Sequence, residues 1–152
     1  MLSVKRIVVP TDFSEPAREG FRKACTLAEH FGAELLVIHV IDPIPVIPTG
    51  HGAVPFNVEG YKEEVVRASK INLKQFIAQE KSAEVTTTPF VREGEVAEEI
   101  ARAGDAYDAD LIVMATHGYS GWKKFILGSV TEKVVRIAAI PVLTITAPYE
   151  KK

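Results

Sequence analysis

The chain has 152 residues, 47% of them apolar and 25% charged, the profile of one soluble globular domain long enough to bury a core. Eighteen basic residues against 20 acidic ones leave a formal net charge of -2, so no broad electrostatic footprint for nucleic acid or an anionic membrane is present. The lone Cys25 excludes an intrachain disulfide and points to a reducing, cytoplasmic setting, and neither a secretory signal nor a membrane span is expected.

Short apolar runs alternate with stretches of helical periodicity, the pattern of a parallel α/β sheet. Arg6-Ile7-Val8-Val9 is the first strand, stopped by Pro10. Ser14 followed by Glu15 and Pro16 predicts a capped helix start. Phe21, Cys25 and Ala28 form that helix's buried stripe, and Gly32 closes it as a left-handed residue. Leu35 to Ile41 is apolar almost throughout, as suits a central strand covered on both faces. Pro43, Pro45, Pro48, Gly50, Gly52 and Pro55 then mark an irregular surface loop.

A long helix from about Val58 to Lys81 is expected to bury Val66, Leu73, Phe76 and Ile77. Glu84 to Val91 reads as a strand, with Pro89 assigning it to a sheet edge. Gly94 is expected to open a short helix with Val96, Ile100, Ala103 and Tyr107 on one face. Leu111 to Met114 is a buried strand, residues 117–128 a glycine-containing loop, and Ser129 to Ala138 a helix with Val130, Val134 and Ile137 inward. Val142 to Ile145 is the last strand. About five strands and four helices make one doubly wound domain.

Ligands of such sheets sit beyond the carboxyl ends of the strands, which directs attention to Pro10-Thr11-Asp12, Val40-Ile41-Asp42 and the segment from Ala115 to Ser129. A dinucleotide fingerprint needs glycines straight after the first strand, where this chain has Pro10-Thr11-Asp12-Phe13. No Walker A string occurs, and Gly118-Tyr119-Ser120-Gly121 lacks the spacing of a serine-nucleophile elbow. His30, His39, His51 and His117 are scattered, so no metal is expected, and His39 within a strand reads as structural.

Gly118, Gly121 and Gly128 ahead of a helix starting at Ser129 form a phosphate-binding design, because backbone N–H groups and a helix N-terminus converge on an anion. Ser129-Val130-Thr131-Glu132 is equally a capping box, which accounts for Ser129 and Glu132 without any ligand. Asp12 has the same two readings, as a cap for the first helix or as a ligand group. Lys123 and Lys124 could reach phosphates or simply be solvated.

Val8-Val9-Pro10-Thr11-Asp12-Phe13-Ser14, His39-Val40-Ile41-Asp42, Asp110 to Gly118, Gly128 to Val134 and Pro141-Val142-Leu143, in this order, resemble universal stress protein domains. The resemblance spans essentially the whole chain, the segment from Pro43 to Val85 matching by position only. It implies a five-stranded parallel sheet of order 3-2-1-4-5 with helices on both faces (adenine-nucleotide alpha-hydrolase-like). It also implies homodimers formed through the last strand, Val142 to Ala147.

Members that bind ATP carry G-x2-G-x9-G-[ST], which here maps to Ala115, Gly118, Gly128 and Ser129, with alanine in place of the first glycine. Carried over, Asp12 and Val40 border adenine and ribose, and Pro10 and Thr11 shape that wall. Met114 and Ala115 line the floor, and His117, Gly118, Gly128, Ser129, Val130 and Thr131 hold ribose and phosphates. The ligand implied is ATP or ADP, with or without Mg, in a dimeric stress-response sensor or regulator without nucleic-acid or membrane partners. The alternatives are a slow ATPase, with His117 or Asp12 positioning a water, and a nucleotide-free dimer acting through protein contacts, which Ala115 favours.

Overall fold

The computed structural model describes residues 3–43, 57–82, 84–116 and 127–146. The elements run β1 (Arg6–Pro10), α1 (Glu15–Phe31), β2 (Glu34–Ile41), α2 (Val58–Glu80), β3 (Thr87–Glu93), α3 (Val96–Ala106), β4 (Leu111–Ala115), α4 (Ser129–Ile137) and β5 (Val142–Ile145). All described strand pairs are parallel, in the order β3-β2-β1-β4-β5. The order reverses between β1 and β4, so their carboxyl ends part around a crevice.

Strand alternation divides the interior in two. Ile7, Val9, Leu35, Val37 and Val113 pack with Phe21, Leu73 and Phe76 on the side of α1 and α2. Val8, Leu36, Ile38, Ile112 and Met114 pack with Ala97, Ile100 and Val134 on the side of α3 and α4.

The first helix forms as its ends dictate. Ser14 accepts from the Ala17 N–H, and Gly32, at φ 65°, donates its N–H to the Ala28 carbonyl. Pro89 lies on an edge strand, where a missing backbone donor is tolerated. That strand starts later than its Thr/Val content suggests, at Thr87, because pairing with β2 from Leu35↔Thr87 to Ile41↔Glu93 sets its limits.

Three further expectations are corrected. Gly94 does not open α3; Glu95 caps it by accepting from the Glu98 N–H. Val66 is only half-buried, since it lies on the outer face of α2 with Glu59, Lys62 and Lys70. Ile137 is exposed at the last turn of α4, and buried Thr131 and Val134 with half-buried Val130 carry the inward stripe. Residues 44–56 of the proline-rich loop, Lys123, Lys124 and Ala147 lie outside the described residues.

Glu80 ties α2 to α1, accepting from Arg18 Nη1 at 2.6 Å and Arg22 Nε at 2.7 Å. Burial by itself would push this carboxyl up, but the hydrogen bonds from Arg18 and Arg22 outweigh it and hold the group below the ordinary value of 4.5. A carboxyl depressed in the folded state stabilises above its unfolded value, and that stabilisation disappears as pH falls through the folded one. Glu80→Gln is therefore expected to cost roughly 1–3 kcal/mol at neutral pH, with the deficit closing in acid. Urea unfolding of both proteins at pH 7 and pH 3 checks this; a deficit undiminished at pH 3 contradicts the assignment.

Candidate functional site

The β1–α1 turn is held by its own side chains. Thr11 Oγ1 accepts from the Phe13 N–H at 3.0 Å, and Asp12 Oδ1 accepts from the Ser14 N–H at 3.0 Å and the Ser14 hydroxyl at 2.5 Å. These local bonds are what short polar side chains offer a turn. They support Phe13 at φ 65°, a left-handed conformation that costs a non-glycine residue about 1–2 kcal/mol. Asp12 thus serves the helix start indirectly, through Ser14, and its Oδ2 has no protein hydrogen bond among the described residues. The reading of Asp12 as the cap of α1 is corrected, since Ser14 is the N-cap residue and, among the described residues, Asp12 bonds only Ser14.

Across the crevice, α4 begins beside the end of β4. Gly128 donates its N–H to the Thr116 carbonyl at 2.8 Å, and Thr131 Oγ1 donates to the Ala115 carbonyl at 3.0 Å. The expected capping box is absent. Gly128 is the N-cap residue, Ser129 is already inside the helix, and no side chain caps it. Glu132 instead accepts from Arg136 at 2.6 Å, while its N–H bonds the Gly128 carbonyl at 2.8 Å. The N–H groups of Ser129, Val130 and Thr131 are left without a protein partner among the described residues, as the first turn of an uncapped helix must be.

These two starts enclose a cleft of about 380 Å³, within the size of small-molecule pockets. It gathers ten of the twelve sequence-predicted residues: Pro10, Thr11, Asp12, Val40, Met114, Ala115, Gly128, Ser129, Val130 and Thr131. His117 and Gly118 lie outside the described residues. Val96 and Ile100 from α3 also line it; periodicity marks them only as apolar helix residues, and core and cleft require the same chemistry of them. Asp42 and His39 complete the rim on β2. Two groups set the cleft's electrostatics, the free amides of α4 on one side and the Asp12 and Asp42 carboxylates on the other. Lysine and arginine are missing from its described lining.

Lys133 braces the cleft from outside, bonding Glu95 Oε2 and Glu98 Oε1 at 3.1 Å each and so joining α4 to α3. The Glu98 N–H, with Lys133, holds the Glu95 carboxyl below its ordinary range.

Ala115 does not obstruct the cleft. Met114 packs on the α3–α4 side and Val113 on the α1–α2 side, so alternation turns the Ala115 methyl toward α1. Gly20 receives it there: a Cβ on Gly20 would stand 3.6 Å from the Ala115 Cβ and 3.2 Å from its nitrogen.

Among the described residues no helix is long and apolar enough to cross a membrane, and no group of three His, Cys, Asp or Glu side chains could hold a metal ion. The family model for the universal stress protein family matches residues 3–146. Universal stress protein MJ0531 of Methanocaldococcus jannaschii is 37% identical over 148 residues, covering 97% of this chain and 85% of the relative. The solved structure of hypothetical protein MJ0577, from the same organism, superposes with a TM-score of 0.78 at 24% identity, over 97% of this chain and 99% of the other. A universal stress protein solved in complex with cAMP superposes with a TM-score of 0.59 at 22% identity, over 94% and 97% of the two chains. One from Archaeoglobus fulgidus in complex with dAMP gives a TM-score of 0.56 at 22% identity, over 95% and 99%. The wound sheet, the crevice at its switch point and the sequence match lead to one assignment: the chain belongs to the universal stress protein family.

Proposed function

We propose that this chain binds an adenine nucleotide, ATP or ADP, in the β1–β4 cleft and acts as a dimeric stress-response sensor or regulator rather than as an enzyme of rapid turnover. The observation that carries this reading is the uncapped start of α4, where three amides face a cleft with no side chain competing for them. A helix N-terminus in that condition favours phosphate. Val40, Met114, Val96 and Ile100 supply apolar wall for a base, and Asp12 Oδ2 is an available acceptor for ribose hydroxyls. The complexes of structural neighbours with cAMP and dAMP support the ligand class.

A dimer formed through β5 fits the exposed Leu143 of that strand, which is a sheet edge and so offers unpaired backbone groups; Val135 and Ile137 of α4 are exposed apolar residues as well.

Calorimetric titration of the purified chain with ATP, ADP and adenosine tests the reading, with sedimentation of the same sample reporting its mass. Saturable binding is expected, tighter for ADP than for adenosine. Because the Ala115 methyl faces α1, Ala115→Gly is expected to leave the ADP affinity within about threefold of the parent. A folded protein that takes up no adenine nucleotide at millimolar concentration rules the proposal out.

A further inference from the structure

We infer that His39 is a positioning residue for the nucleotide cleft, holding the strained turn that presents Asp12; this rests on the nucleotide-binding reading above. His39 borders the cleft on β2, yet it shares strand parity with Leu35 and Val37, which face α1 and α2. Its ring therefore lies behind the turn rather than in the ligand's space.

Two contacts join it to that turn. His39 Nδ1 is 2.8 Å from the Thr11 carbonyl oxygen. A carbonyl only accepts, so Nδ1 carries the proton and donates it. The ring also packs on Phe13, with centroids 4.4 Å apart and planes tilted by 30°. Phe13 is the residue at φ 65°, and such conformations persist only where the surroundings over-determine them. Thr11 Oγ1 and the Asp12 carboxylate fasten the turn locally. Two groups of β2 fasten it to the sheet: the Ile38 carbonyl accepts from the Thr11 N–H at 2.9 Å, and His39 adds the bond to the Thr11 carbonyl. The consequence falls on Asp12: with the Thr11 carbonyl anchored, its free oxygen keeps a fixed place at the cleft.

Two variants separate the bond from the ring. His39→Phe keeps an aromatic ring for Phe13 to pack on but loses the donor; His39→Asn keeps a donor near the Nδ1 position and loses the ring. Calorimetry is expected to show ADP and adenosine affinities about tenfold weaker in His39→Phe and within threefold of the parent in His39→Asn. In an Asp12→Asn background, adding His39→Phe should weaken ADP binding less than twofold further, because both changes remove the same positioned carboxylate. A general packing role predicts the full tenfold loss in both backgrounds, and that result overturns the inference. So does His39→Phe binding within threefold of the parent, or His39→Asn as weak as His39→Phe. A parent protein that binds no adenine nucleotide removes the nucleotide reading and this inference together, whereas parent binding with any of the three preceding outcomes removes this inference alone.

Discussion

Ser129→Pro is expected to weaken ADP and ATP binding roughly ten- to a hundredfold while leaving adenosine binding and the melting temperature nearly unchanged. Ser129 is the first residue of α4, where proline's fixed φ suits the helix and no backbone bond is lost. The preceding Gly128, at φ -59° and ψ 150°, already has the extended conformation that a following proline demands. The substitution deletes one of the three free amides and leaves the helix intact. A hydrogen bond to a charged group contributes about 1.5–3 kcal/mol, and about 1.4 kcal/mol is a tenfold change in affinity. Adenosine lacks phosphates and serves as the internal control. Equal weakening of ADP and adenosine would place the phosphates away from the start of α4.

Phe76→Ala is expected to lower stability by about 3–5 kcal/mol, or roughly 6–20 °C in melting temperature for a domain of this size. Phe76 is 2% exposed and packs edge-on to Phe21 at 5.2 Å and to Phe13 at 5.8 Å, with the Arg18 guanidinium 5.2 Å from its ring centre. Its removal leaves a cavity between α1 and α2 and takes one of the two ring neighbours from Phe13. Ile71→Ala on the same helix is the control, because Ile71 is half exposed and surface truncations stay within about 0.5 kcal/mol. Thermal unfolding of the two variants in parallel decides the matter. Equal melting temperatures would show that Phe76 does not anchor the α1–α2 half of the core.

Where the residues carry their own punctuation, the fold is legible. Ser14 and Gly32 mark both ends of α1 by capping chemistry, and the apolar runs of β1, β2 and β4 are buried as their composition requires. The 3-2-1-4-5 order is not written in any local pattern; it follows from the resemblance of ordered motifs, and the structure has it. Of the cleft, the residues at strand ends were accessible to the rule that ligands sit there. The helix start at Ser129 is legible and the structure has it, whereas the capping box is not formed, since Gly128, which has no side chain to signal a cap, takes the capping position. The left-handed Phe13 has no sequence signal at all, because its conformation is imposed by bonds from Thr11 and by contact with His39. Ile137 keeps helical spacing but sits at the helix end, beyond the reach of the core.

The orientation of Ala115 governs how α1 seats on the end of β4. Neighbouring strand positions answer to different surroundings, with 114 facing the cleft and 115 facing Gly20 of α1. Positions 20 and 115 of this chain therefore work as a pair: a side chain larger than methyl at 115, or any side chain at 20, presses the helix away from the strand.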